Sequence, residues 1–476
     1  MSKILIGLIG LIVVAGIAFF LGPREQVDET ITFDAASVGK DIDGYLAKAQ
    51  ALHRDRSTWL KPHERAAILH KAMKIMEERK DHLAYQIADE GGKPLMDAKV
   101  EVDRAINGME LCIHEMGALK GTEIPMGLTS AGDGRTAWTT REPLGVVVAI
   151  SAFNHPLNLI VHQVAPAVAT GCPVIVKPAG DTPLSCFEFV DILHEAGLPK
   201  DWCRATCAPR DAAEKMVTDP RVDFFSFIGS AGVGWFLRSK LSPGTRCALE
   251  HGGVAPAIVD PTADIDAAVA SLTKGGFYHS GQVCVSVQRV FAHSSIVDEL
   301  SSNLAAKASA LKVGNATDPD VECGPLIRPK ECDRVSEWVE EARAAGAQVL
   351  CGGKKLSDST YAPTVLLNPP EDVTISRNEV FGPVVCVYSY DNVDEAIAQA
   401  NSLEVAFQAA VFTNDLSAAM STYRNIDASA VMVNDHTAFR TDWMPFAGLR
   451  SSGHGVGGIP YTMHEMTIEK MIVINA

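Results

Sequence analysis

An α/β fold built on a doubly wound parallel sheet follows from three features of the sequence. Beyond residue 36, short β-branched runs alternate with helix-length amphipathic segments. The runs "GVVVAI" (145–150) and "CPVIVKP" (172–178) flank the helical stretch "PLNLIVHQVAPAVATG", which makes a βαβ unit. A further run, "VDFFSFI", passes directly into the glycine turn "GSAGVG" and the helical "WFLRSKL". Runs this apolar are buried on both faces of a parallel sheet, and their alternation with helices favours a Rossmann-type arrangement.

The elements can be justified in order. After a three-residue tail, residues 4–22, "ILIGLIGLIVVAGIAFFLG", carry no charge. As a helix they would span about 28 Å against a hydrocarbon core of ~30 Å. The run leaves through "GPREQVDET", without the small-residue exit of a cleavable signal, so a transmembrane helix and a linker over 23–36 are expected. The stretches "DIDGYLAKAQALHRDRS" and "HERAAILHKAMKIMEERKDHLAYQIADEGGK" then predict two amphipathic helices, the second ending at Gly91–Gly92.

Composition bounds the function. The chain has 476 residues, 47% hydrophobic and 21% charged, enough apolar material for more than one domain. A net charge of −16 with no Lys/Arg block excludes a nucleic-acid binder, since phosphate neutralisation needs a basic face. Eleven cysteines without a CxxC pair suggest neither a disulfide framework nor a metal site. Most of these thiols read as reduced packing groups. Cys284 differs, because it follows a Ser-Gly-Gln turn and precedes a run with strand character.

The glycine turn leaves two readings open. Its glycines, Gly229, Gly232 and Gly234, do not follow the GxGxxG order. A strand, turn and helix nevertheless leave backbone N–H groups at a positive helix end where a pyrophosphate could rest. The alternative is a tight βα turn that needs glycine only for its backbone angles.

Seven short stretches, taken in order, add a resemblance: "FNHPLN", "KPAGDTPLS", "FIGSAGVG", "LEHGG", "GQVC", "EVFGP" and "PFAGLRSSGHG". Together they resemble the NAD(P)-dependent aldehyde dehydrogenase superfamily over roughly residues 42–474. The resemblance implies that Cys284 adds to an aldehyde carbonyl, that Asn154 stabilises the resulting oxyanion, and that Glu250 activates the water that hydrolyses the thioester. It also implies NAD or NADP as cofactor, held by Lys177, Gly229, Ser230, Gly234, Glu379, Phe381 and Phe153. The implied fold is aldehyde dehydrogenase-like. A cofactor-binding domain would comprise 37–125 and 143–250, a catalytic domain 251–461, and a small β oligomerisation arm 126–142 and 462–476.

Departures from the family pattern shape the expected specificity. Gly180 stands where many NAD-preferring relatives have a glutamate, so a repulsive charge against a 2′-phosphate is missing and NADP is open. His155 follows the asparagine where relatives acting on apolar aldehydes present an aromatic ring. The resemblance sets Arg104, Val283 and Phe446 beside it in the substrate tunnel. A short polar or anionic aldehyde is then expected, with a structural role for Arg104 as the alternative.

A coenzyme A-acylating relative and an inactive membrane-tethered scaffold remain as other functional classes. Retention of Glu250 counts against the first, and the intact set of site residues against the second. A homodimer or homotetramer is implied by the family. Charges flanking the apolar run conflict with the need for NAD(P) and reduced thiols, and the latter lead us to expect the catalytic domain on the cytoplasmic face of a membrane.

Overall fold

The computed structural model describes residues 35–475. The chain divides into two units, 1–41 and 42–476; of the first, only the opening of the helix Ala35–Arg54 is described.

The expected membrane anchor is corrected here. Among the described residues no helix is long and apolar enough to cross a membrane. The apolar run 4–22 lies outside the described residues. Within the described chain, the helix Ala35–Arg54 buries Ile42, Leu46 and Ala49 along one stripe and leaves Lys48 exposed. That pattern covers a protein core and cannot face lipid all round. The cytoplasm-facing anchored arrangement therefore has no described span to rest on.

Among the described residues the second unit has three larger sheets and a two-stranded one, Val405–Ala406 with Leu449–Arg450. The first has six strands in the order Gly453–His454, Arg246–Glu250, Phe224–Ile228, Val147–Ile150, Val174–Lys177 and Cys203–Ala205. All neighbours are parallel except the first pair. The chain winds outward from Val147–Ile150 through Val174–Lys177 to Cys203–Ala205, then returns to Phe224–Ile228 on the other side. The strand order thus reverses between Val147–Ile150 and Phe224–Ile228. Ligands bind in α/β sheets at such a reversal, beyond the carboxyl ends of the strands.

The second sheet has seven strands: Gln348–Cys351, Thr364–Leu367, Val384–Tyr390, Arg289–His293, Pro256–Val259, Gln408–Phe412 and Ala430–Val433. Only its edge pair, Gln348–Cys351 with Thr364–Leu367, is antiparallel. A third, antiparallel sheet joins Glu123–Ile124, Arg135–Pro143 and Thr467–Asn475. Two largely parallel sheets packed with helices make this an α/β protein.

Local sequence explains most of the element boundaries. The helix Asn158–Thr170 is buried on nearly every side, as its unbroken apolar composition requires, and Gly171 ends it at φ +88°. Its first turn is met by Glu101, whose Oε1 accepts from the N–H groups of Leu157 (2.9 Å) and Asn158 (3.0 Å). This satisfies two donors that a helix start leaves free. Two expectations need adjustment. The long amphipathic segment is two helices, Pro62–Glu78 and Lys80–Gly91, because Arg79 leaves helical geometry at φ −102°, ψ 13°. The run after Cys284 becomes strand only at Arg289, since Val283, Val285 and Phe446 first close a small apolar cluster around Phe407.

Candidate active site

A cleft of about 830 Å³ opens at the strand reversal and extends between the two large sheets. Its walls come from the residues that follow each strand end. Phe153, Asn154 and His155 lie in the connection between Val147–Ile150 and the helix Asn158–Thr170. Gly229 and Ser230 follow Phe224–Ile228, and Glu250 closes Arg246–Glu250. Cys284, Val283, Glu379, Phe381, Arg104 and Phe446 complete the set of sequence-expected residues that reach this cleft. Lys177 and Gly234 do not line it. Lys177 ends the strand beside Val147–Ile150, and its Nζ donates to the carbonyl of Pro178 at 3.1 Å.

The thiol sits on an unusual turn. His279, Ser280 and Gly281 all take positive φ (47°, 56° and 72°), which for the two non-glycine residues is strained. Ser280 compensates by donating to the carbonyl of Gly324 at 2.6 Å. Gly281 has no such freedom to vary, since a Cβ there would lie 2.1 Å from the carbonyl oxygen of Gly382. The chain then presents Cys284, whose carbonyl accepts from the N–H of Gly253 at 3.2 Å. Burial pushes the thiol up to about 12, with Glu379 and Glu250 adding to the shift and Arg440 opposing it. The resting group is therefore a neutral thiol.

Asn154 is 4% exposed and donates through Nδ2 to the carbonyl of Gln282 at 2.9 Å. This ties the amide to the thiol's own turn, two residues before Cys284. Glu250 is pushed up to about 7 by burial, against the lowering influence of Arg440. Gly457 lies so close to its carboxylate that a Cβ would meet Oε1 at 2.0 Å. Glu250 is also joined to the glycine turn, because its backbone carbonyl accepts from the N–H of Gly229 at 3.0 Å.

The cofactor-side residues fit a dinucleotide on independent grounds. Ser230 precedes the helix Ala231–Arg238, so the turn aims the helix start at the cleft. Burial pushes Glu379 up to about 8, and its Oε1 is buried without a hydrogen-bond partner. A buried carboxylate oxygen left this way is costly unless a ligand donor completes it. Gly252 makes room for that carboxylate, as a Cβ there would stand 2.0 Å from both its oxygens. Phe153 and Phe381 meet edge to face, with centroids 5.8 Å apart. His251 stabilises the turn from below by hydrogen bonding to the Gly229 carbonyl through Nδ1 at 2.8 Å.

At the far end, Arg104 lines the cleft but is held by Asp442, Nε to Oδ2 at 3.1 Å and Nη2 to Oδ1 at 2.7 Å. His162 shares the same oxygen at 2.7 Å. Burial works to raise Asp442, but His162 and Arg104 outweigh it and hold the carboxyl well below the usual range. Burial keeps His155 neutral, far below the ordinary histidine value, with Lys93 and Arg104 adding to the effect.

Sequence reasoning missed Arg440. Its guanidinium lies 3.9 Å above the Phe446 ring centroid, and its Nη1 is buried without a partner. No spacing in "AFRTDWMPF" marks it, although an arginine six residues before the expected tunnel residue Phe446 was a visible cue.

The sequence matches the profile of the "Aldehyde dehydrogenase family" over residues 25–472. The chain belongs to the aldehyde dehydrogenase family. Similar relatives include the 3-sulfolactaldehyde dehydrogenase of Priestia aryabhattai, 37% identical over 440 residues covering 92% of each chain. The lactaldehyde dehydrogenase of Methanocaldococcus jannaschii is 36% identical over 417 residues, 87% of this chain and 88% of its own. Among solved structures, aldehyde dehydrogenase 21 of Physcomitrella patens in complex with succinate superposes with a TM-score of 0.89 at 33% identity, covering 92% and 91% of the two chains. The glyceraldehyde-3-phosphate dehydrogenase of Methanocaldococcus jannaschii complexed with NADP gives 0.88 at 33%, covering 95% and 97%. This aldehyde dehydrogenase accordingly oxidises aldehydes with NAD or NADP.

Proposed function

We propose that this enzyme oxidises a short aldehyde with a polar or anionic tail to the carboxylate, through a cysteine thiohemiacetal and a hydrolysed thioester. One observation carries the reading: Cys284, Asn154, Glu250 and Arg440, whose Nη1 has no hydrogen-bond partner, line a single cleft. The sulfur of Cys284 forms a bond to the aldehyde carbon as its proton passes to the Glu250 carboxylate, which releases it to solvent before the hydrolytic step. The carbonyl oxygen becomes an oxyanion, and the Asn154 amide and the Cys284 N–H donate to it. Bound NAD(P) supplies the hydride acceptor that converts the thiohemiacetal to a thioester. Glu250 then takes a proton from the attacking water and gives it to the sulfur as the carbon–sulfur bond breaks, which frees the acid and restores the Cys284 thiol.

For the cofactor, Gly229 and Ser230 would receive phosphate, Glu379 a ribose hydroxyl and Lys177 the adenosine end. Phe381 and Phe153 would flank the nicotinamide, with Gly234 allowing close helix packing. Gly180 is exposed and a Cβ there would meet nothing within 4 Å, which supports room for a 2′-phosphate. The tail would meet His155, Val283, Phe446 and Arg440, with Arg104 behind them. The names of the 3-sulfolactaldehyde and lactaldehyde relatives fit a short polar tail.

A dimer or tetramer is part of the same proposal. Met471, Ile472, Val473 and Ile474 are exposed on the outer strand Thr467–Asn475, whose free edge could pair with a second copy.

The test is a panel of short aldehydes assayed by reduced-cofactor absorbance with NAD and with NADP. Turnover of lactaldehyde or succinate semialdehyde above that of long aliphatic aldehydes is expected. Preference for long apolar aldehydes would refute the tail assignment, and stimulation only by added coenzyme A would refute the hydrolytic step.

A further inference from the structure

The last glycine of "GSAGVG" answers to a neighbouring side chain. Gly234 lies inside the helix Ala231–Arg238 and has no positive φ, so its backbone angles are open to any residue. Space is what excludes them. A Cβ on Gly234 would fall on Cε1 of His251 and stand 2.6 Å from its Nε2. Gly234 therefore keeps a slot open in the helix, and the imidazole of His251 fills it.

That imidazole holds the glycine turn from behind. Its Nδ1 donates to the carbonyl of Gly229 at 2.8 Å, while the carbonyl of the preceding residue, Glu250, accepts from the N–H of Gly229 at 3.0 Å. Two consecutive residues thus grip both polar groups of one glycine. The ring is fixed by Phe227 and Trp235, with centroids 5.7 and 6.0 Å away, and its own backbone N–H donates to the Ser452 carbonyl at 2.9 Å. Trp235 is anchored in turn, its Nε1 donating to the Ser451 carbonyl at 3.0 Å.

With the proton on Nδ1, Nε2 is an acceptor, and it is buried without a partner. Burial holds the ring below the ordinary histidine value, against the raising influence of the Gly229 and Glu250 backbone. A neutral ring with one bare nitrogen destabilises the fold. What Nδ1 holds is then the reason for a histidine here.

We propose that His251 is a positioning residue for the cofactor, fixing the Gly229 peptide so that the N–H groups of the turn face the cleft, and that Gly234 serves to seat it. The inference rests on the phosphate placement at Gly229 and Ser230 proposed above and adds the residue that sets how tightly the phosphates are held. A Gly229 carbonyl released from His251 could swing toward the cleft, where its oxygen would oppose a phosphate.

The variants that test this are His251→Leu, which removes the donor, His251→Asn, whose amide can set an N–H at the same remove from Cβ, and Gly234→Ala, alone and combined with His251→Asn. Fluorescence titration of reduced cofactor should show His251→Leu about 2–10-fold weaker than the parent, the worth of one neutral hydrogen bond, and His251→Asn within about twofold of it. The cofactor KM should follow, while kcat at saturating cofactor changes by less than about twofold. Gly234→Ala should weaken binding at least as much in the parent and little in the His251→Asn background, where Phe227 Cδ1, 3.0 Å from the new Cβ, has only to give slightly. Equal loss from Gly234→Ala in both backgrounds would assign the glycine to the cofactor itself and overturn the proposal, as would parental affinity in His251→Leu.

Fragments separate this inference from the placement on which it rests. In calorimetric titrations the parent should bind ADP more tightly than adenosine, and His251→Leu should lose affinity for ADP alone. A parent that does not distinguish the two would overturn the phosphate placement. A parent that does, with His251→Leu weakened equally for both, would make the histidine a packing group and overturn its positioning role. If His251→Leu does not fold, the two Gly234→Ala backgrounds carry the same decision.

Discussion

Asn154 donates its amide to the carbonyl of Gln282 at 2.9 Å, so the proposed oxyanion donor and the proposed nucleophile share one turn. Asn154→Ala removes both a donor and a brace. Turnover should fall ~100–1,000-fold, the usual cost of one oxyanion donor. Stopped-flow absorbance of the first turnover checks it: a slowed first burst is expected, whereas an unchanged burst with slow steady state would assign Asn154 to a later step.

Cys284→Ala should abolish oxidation and leave cofactor affinity within about twofold, since the thiol makes no contact that the adenosine side needs. Fluorescence titration of reduced cofactor measures the second half of that statement. Because burial holds the resting thiol near 12, alkylation by iodoacetamide should be slow at pH 7 and accelerate steadily toward pH 10. Fast, pH-independent labelling at pH 7 would show a preformed thiolate.

Glu250→Gln should release at most one equivalent of reduced cofactor per site and then stall as the thioester accumulates. In the unmodified enzyme, deacylation should rise with pH through about 7, where the raised Glu250 carboxyl gives up its proton. Stability runs the opposite way. A carboxyl whose folded value is raised contributes stability that is complete below its unfolded value and is lost as pH rises through about 7. Glu250→Gln should therefore melt higher than the parent at pH 8, with the difference shrinking at pH 5, as calorimetry can measure.

His155 is buried and neutral beside the rings of Tyr278 and His279, at 6.1 and 6.5 Å. His155→Phe should favour propanal over lactaldehyde by about 5–150-fold relative to the parent, as a hydroxylated tail loses a hydrogen-bond partner worth ~1–3 kcal/mol. Ratios of kcat/KM report it. An unchanged ratio would leave His155 a packing residue.

Local signals carried the chain of inference a long way, and their limits are physical. Strand-forming runs such as "VDFFSFI" and the turn after it were legible because burial and backbone angle are dictated within a few residues. The helix break at Arg79 was not, because "MEERKDHL" keeps its amphipathic period across the break. Cys284, Asn154 and Glu250 stood out through ordered short stretches. Arg104 read either as a tunnel cation or as a structural group, and sequence could not choose because Asp442, its partner 338 residues away, enters only when the fold closes. Arg440 was hidden for the same reason: its significance is the lack of a partner, which no window of sequence contains. The membrane span was read from the length of one apolar run and the absence of a signal-type exit after it, and the described helices supply none.

The antiparallel arm has a consequence for the timing of synthesis. Arg135–Pro143 pairs residue by residue with Thr467–Asn475, and Thr140 and Lys470, joined through the Thr140 hydroxyl, are 330 residues apart. A ribosome adding ~5–20 residues per second needs roughly 15–65 s to make the second strand after the first has emerged. Throughout that interval Arg135–Pro143 presents an unpaired backbone edge with Trp138 on it, open to any strand that comes by. Neighbouring chains on one message carry such a strand, so nascent copies of this enzyme should be prone to exchange their terminal strands, and a chaperone that shields residues 135–143 would raise the yield of correctly closed protein.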